Sequence, residues 1–159
     1  MGKTVFPENF KIVQLASPET TNSGKTSDYI SLKDCLRCTI VVDLTQATGH
    51  ATAIALYRGT AVDGTGAVVL TTVVPIWVNQ DCGATDTLVR QTDAINFTVT
   101  DDIKDKQLVF QVDPVTLGDT FDVLSIRAAN SSAADNFWSV TAYLETRYEQ
   151  ATPPTAITD

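Results

Sequence analysis

Three cysteines, one histidine and a scatter of aspartates are the side chains in this 159-residue chain with the types and spacing for chemistry. Cys35 and Cys38 spell C-x-x-C, half of a zinc site if the pair lies in a turn. In a strand, residues three apart point to opposite faces, so the two thiolates could not converge on one ion. A second ligand pair would have to come from Cys82 and His50, which stand in separate segments. The expectation is therefore a buried Cys38 beside a surface Cys35, and no metal site. Gly24-Lys25-Thr26 invites comparison with a phosphate-binding loop, which needs a glycine five residues before its Gly-Lys pair and a helix after it. Glu19 holds the first position and "DYISLK" reads as a strand, so no nucleotide or other cofactor is expected.

His50 lies in "ATGHATA" with no activated nucleophile beside it, and no nucleophile elbow is present. Asp101, Asp102 and Asp105 cluster before a strand, and Asp81 and Asp86 share a loop. Paired carboxylates could cleave glycosides or hold calcium. Their spacing matches no calcium loop, and loop aspartates ordinarily form turns and caps. Trp77, Trp138, Tyr143 and Tyr148 could stack on sugars, with Trp138 in the core-facing register of its strand and Trp77 and Tyr143 out of it. No acid, base and nucleophile occur at a supporting spacing, so no catalytic residue is assigned and the chain is read as a non-enzyme.

The elements that must position these groups are strands. Thr, Val and Ala dominate, charged residues are 19% of the chain, and β-branched side chains fit a pleated surface. About nine or ten strand candidates alternate with Gly, Asp, Asn and Pro clusters. In "AINFTVT", Ile95, Phe97 and Val99 alternate with polar residues. "KQLVFQVD" puts Leu108, Phe110 and Val112 on one face, and "FWSVTAYLE" does the same with Trp138, Val140, Ala142 and Leu144. "CLRCTIVVDL" aligns Leu36, Cys38, Ile40, Val42 and Leu44. "GAVVLTTVVPIWVNQ" is apolar on both faces, and Pro75 cannot donate a ladder bond, so it is expected to be an edge strand or to bend there. Left open, such an edge would aggregate, so a subunit interface is expected to cover it. The fold expected is an all-β antiparallel sandwich, jelly-roll-like, over residues 28–148, with an N-terminal arm (1–27) able to form a strand and an extended C-terminal tail (149–159).

The formal net charge is −8, without a basic stripe. Nucleic-acid binding draws its affinity from Lys and Arg, so direct binding is not expected, and the same charge would repel anionic membranes. "MGKTVFPENF" lacks the pattern of a signal peptide and no apolar run is long enough to span a bilayer, so a protein made in a cytoplasm is expected. An odd number of cysteines argues against a disulfide framework.

"SDYISLKDCLRCTIVVDL", "VPIWVNQD" and "YLETRYEQATPPTAI" together resemble small structural proteins of tailed bacteriophages. The words that carry the likeness are Arg147, Tyr148, Gln150, Ala151, Pro153 and Pro154. The resemblance implies a capsid decoration, or cement, protein: a homo-oligomer, with a trimer favoured, bound to the major capsid protein on the outer surface of a virion made in the host cytoplasm. Val73, Pro75 and Trp77 are then expected at the contact with sister copies, and Tyr148, Pro153, Pro154 and Ile157 in a tail that grips the shell. The alternatives are another virion component, such as a tail or neck adaptor or a head fibre, and a carbohydrate-binding module using Trp77 or Tyr143.

Overall fold

The computed structural model describes residues 5–148, 152 and 155–157. After a single helical turn, α1 (Phe6–Asn9), the chain forms β1 (Phe10–Thr20), β2 (Lys25–Thr26), β3 (Ile30–Ser31), β4 (Cys35–Thr45) and β5 (Ala53–Gly59). Four short strands follow: β6 (Val68–Val69), β7 (Ile76–Asn79), β8 (Val89–Arg90) and β9 (Asn96–Thr98). The last three are β10 (Asp105–Val112), β11 (Val123–Ala128) and β12 (Phe137–Thr146). All pairings are antiparallel. One sheet runs β1-β12-β4-β10-β7-β8, and the other runs β2-β11-β5-β6, with β3 also on β11 and β9 also on β5.

Alternation drives the two sheets face to face. Ile40, Val42 and Leu44 of β4, Leu108, Phe110 and Val112 of β10, and Trp138, Val140, Ala142 and Leu144 of β12 are all buried. They meet Ile54 and Leu56 of β5 and Leu124, Ile126 and Ala128 of β11 in one continuous core. Set aside β7 and β8, and count the rest in order as β1, β2/β3, β4, β5, β6/β9, β10, β11 and β12. The sheets then read first-eighth-third-sixth and second-seventh-fourth-fifth, the interleaving of two Greek keys that defines a jelly roll. The expected all-β sandwich is thus the fold observed.

Three local expectations are corrected. "GAVVLTTVVPIWVNQ" is not one strand. Leu70 N–H donates to the Leu56 carbonyl in one sheet, Val74 bridges Ala94, and β7 enters the other sheet beside β10. The run passes from one sheet to the other along the edge of the sandwich: Leu70, Val74, Ile76 and Val78 face the core, whereas Val68, Val69 and Val73 are exposed, and Pro75 stands just before β7, where no ladder donor is required. Cys35 is not at the surface: it is 2% exposed, as deeply placed as Cys38, whereas Leu36, expected in the core, is 53% exposed. The cause is a bulge, since Glu145 pairs with Arg37 but Thr146 pairs with Cys35. One extra residue resets the alternation, so both thiols face inward. Burial pushes the Cys35 thiol up to about 12 and raises that of Cys38 as well.

Cys82, in the turn after β7, is the exposed cysteine. Its thiol is also raised, by partial burial and by the nearby Asp43, Asp105 and Asp81 carboxylates. The native protein should therefore release one equivalent of thiol to a water-soluble disulfide reagent and three after denaturation. The native rate should keep rising with pH beyond the range where an ordinary cysteine levels off. A second fast thiol in the native state would contradict the inward placement of Cys35 and Cys38.

The segment assigned to an N-terminal arm supplies β1, which pairs along β12 in its own chain. The C-terminal segment also returns: the Ala156 carbonyl accepts from Ser31 N–H at 2.7 Å, and its methyl is buried against the core. No helix among the described residues is long and apolar enough to cross a membrane.

Candidate functional site

The residues with chemical potential are mostly consumed by the fold. Gly24 takes a positive φ in the turn before β2. Lys25 lies in β2, and its ammonium pairs with Glu19 at 2.8 Å, the residue standing where a phosphate loop needs glycine. His50 Nδ1 lies 3.0 Å from the Ser131 carbonyl. That contact borders a buried polar network at one end of the sandwich. Asn136 Oδ1 accepts from Ala47 N–H at 2.5 Å, while its Nδ2 reaches the His50 carbonyl at 2.6 Å and Gln46 Oε1 at 3.1 Å. Thr52 donates to the same Gln46 oxygen at 3.0 Å. These contacts fasten the loop after β4 to the loop before β12.

The aspartates regroup around lysines. The ammonium of Lys106, whose side chain is fully buried, bonds the Gln80 carbonyl at 3.1 Å, Thr100 Oγ1 at 2.9 Å and Asp102. Lys104 bridges Asp81 at 2.8 Å and Asp102 at 3.4 Å. The Lys106 ammonium and the Thr100 hydroxyl hold the Asp102 carboxyl well below the usual carboxylate range. Asp101 and Asp86 are exposed. Among the described residues, no three His, Cys, Asp or Glu side chains come together to hold a metal ion.

The aromatic residues part in the same way. Trp138 is buried, with its indole N–H toward Glu19. The Arg90 guanidinium covers Trp77, 4.9 Å from the ring centroid, and Phe6 stacks on Phe10 and meets Tyr143 edge-on at 6.0 Å. Trp77 and Tyr143 each already have a ring partner, Arg90 and Phe6 respectively.

The interface residues chosen from sequence fall into two groups. Val73, 55% exposed, Pro75 and Trp77 lie at and before β7. Tyr148 follows β12, next to Arg147, whose N–H donates to the Asp34 carbonyl, and Ile157 adjoins the docked Ala156. β4 and β10 separate β7 from β12, so Tyr148 stands apart from the first group across that sheet, and Ile157 lies by β3 of the other. Pro153 and Pro154 lie outside the described residues. Val68 and Val69, in the same apolar run as Val73, stand exposed on edge strand β6, and sequence reading missed their companions Leu88 and Val89 at edge strand β8, also exposed. The chain crosses from β6 to β7 on this side, so it presents an apolar rim. Two-residue strands leave no alternation to read, which is why "TLVRQ" looks like loop.

The class that fold and surface define is a jelly-roll sandwich with an apolar rim. No family model and no curated protein matches the sequence. Among solved structures, the chain is similar to the SPBc2 prophage-derived protein YomS at 8% identity and a TM-score of 0.47, covering 85% of this chain and 91% of that one. It is more distantly similar to a chain of infectious bursal disease virus Gt strain, at 10% identity and a TM-score of 0.22, covering 86% of this chain and 36% of that one. Likenesses of this extent carry no argument about function.

Proposed function

We propose that this protein is a non-catalytic structural component of a tailed-phage virion, a decoration protein that binds the major capsid protein and associates with its own copies through the β6–β8 side. The observation that carries the reading is the apolar rim of Val68, Val69, Val73, Leu88 and Val89. Apolar side chains crowded on sheet edges invite pairing, and a protein that remains soluble must cover or blunt them. A symmetric interface does so, and a stable one buries at least ~1,000 Å² in total. The net charge of −8 and the phage-like sequence style support the same reading.

The purified protein is expected to sediment as a symmetric oligomer and to co-sediment with phage heads. Val73→Asp combined with Val89→Asp should place uncompensated carboxylates in the interface and shift the population to monomer at micromolar concentration. Both side chains are 55% exposed, so the melting of the isolated fold should change little. A wild-type protein that is a stable monomer and stays in the supernatant would remove this reading.

A further inference from the structure

The outer face of the β1-β12-β4-β10-β7-β8 sheet holds a groove of about 330 Å³ at the end where β10 begins. Three strands form its floor, with two cross-strand rows fixed by register: Ser139–Asp43–Gln107 and Phe137–Thr45–Asp105. Pro18 walls one side. β1 carries a bulge there, since Ala16 pairs with Val140 but Glu19 pairs with Trp138, which pushes Ser17 and Pro18 out of the ladder. Cys82 walls the other side, because its N–H donates to the Asp105 carbonyl and holds the turn against β10.

We propose that this groove binds a neutral saccharide. Phe137 is 44% exposed on the outward face, and unlike Trp77 and Tyr143 its ring has no aromatic or cationic partner among the described residues. A sugar ring has one apolar C–H face that packs on such a ring, and hydroxyls at its rim that need both donors and acceptors. The floor supplies both. Gln107 donates to Asp43 Oδ1 at 3.0 Å and Thr45 donates to Asp105 Oδ1 at 2.7 Å. This leaves the second oxygen of each carboxylate, the Gln107 amide oxygen and the Ser139 hydroxyl without protein partners among the described residues. Two carboxylates in the floor disfavour sulfated, uronate or sialylated sugars, which they would repel. This site is independent of the apolar rim and of the capsid reading.

The test applies the intact protein to an array printed with neutral oligosaccharides and with uronate- and sialate-bearing ones, followed by titration calorimetry with the strongest neutral binder. Retention is expected on neutral sugars only. Phe137→Ala should weaken binding tenfold or more and Ser139→Ala severalfold. Alkylating Cys82 with a bulky maleimide should block binding without any substitution, which keeps the test valid if a variant folds poorly. Failure to retain any neutral sugar overturns the proposal, as does wild-type affinity in a folded Phe137→Ala variant. Preferential capture of an oligoarginine peptide, lost in Asp43→Asn, would overturn it in favour of a cationic ligand.

Discussion

Asn136→Ala should lower the melting temperature by about 10 °C. Each buried polar group left without a partner costs about 1–3 kcal/mol, and the change strips the Ala47 N–H and the His50 carbonyl of theirs at once. A total near 3 kcal/mol, at about 2–4 °C per kcal/mol for a chain of this size, gives that shift. Gln46 loses less, because Thr52 still donates to its oxygen. Asn136→Asp sharpens the test. It keeps an acceptor for Ala47 but turns a carboxylate oxygen toward the Gln46 oxygen and the His50 carbonyl, so it should be no milder than alanine. A melting temperature within about 2 °C of wild type for either variant would mean that water repairs the site, and the network would lose its structural role.

The second large effect belongs to Lys106. Alanine there removes a fully buried aliphatic stem and three hydrogen bonds, an expected loss of about 2–4 kcal/mol. Methionine keeps the stem and should recover roughly half of that. The pH dependence separates packing from charge. Asp102 has a folded carboxyl well below its unfolded value, so its contribution is fully present above the unfolded pKa of about 3.9 and is lost as pH falls toward the folded value. The gap in stability between wild type and Lys106→Met should therefore be constant near neutrality and narrow in acid. Denaturant midpoints at about pH 7 and pH 3 would show it. A gap that stays constant into acid would mean that the Lys106–Asp102 pair adds nothing beyond packing.

Neither residue looked important in the sequence, and the reasons differ. Asn136 stands in "NSSAADNF", where Asn and Asp ordinarily form turns, and nothing local says that another loop closes over it. Lys106 sits in register with the buried Leu108 and Phe110, but a lysine at the start of a strand reads as a solvated end. Long alternating strands were legible because period two is imposed by a buried face: β4, β10 and β12 lie where "CLRCTIVVDL", "KQLVFQVD" and "FWSVTAYLE" placed them. What broke the period was not legible. The bulge opposite Thr146 reverses the register only when β12 is beside it, and the crossing at Leu70 to Pro75 exists only because two sheets face each other. The candidate sugar groove was partly legible. The taste for aromatic rings was seen, but Trp77 and Tyr143 are engaged by Arg90 and Phe6, contacts that no local pattern encodes.

The place of β12 between β1 and β4 also sets a timetable for synthesis. Phe10 pairs with Glu145, so β1 must wait until the last strand has left the ribosome before it gains a partner. At ~5–20 residues per second, that wait is on the order of ten seconds, far longer than the collapse of the rest of the chain. Throughout it, β1 and one side of β4 are unsealed edges in a crowded cell. The bulges of β1, with the proline at position 18, make it a poor template for a stranger's strand during that interval. Straightening β1 should thus harm the yield of the nascent protein more than the stability of the finished one.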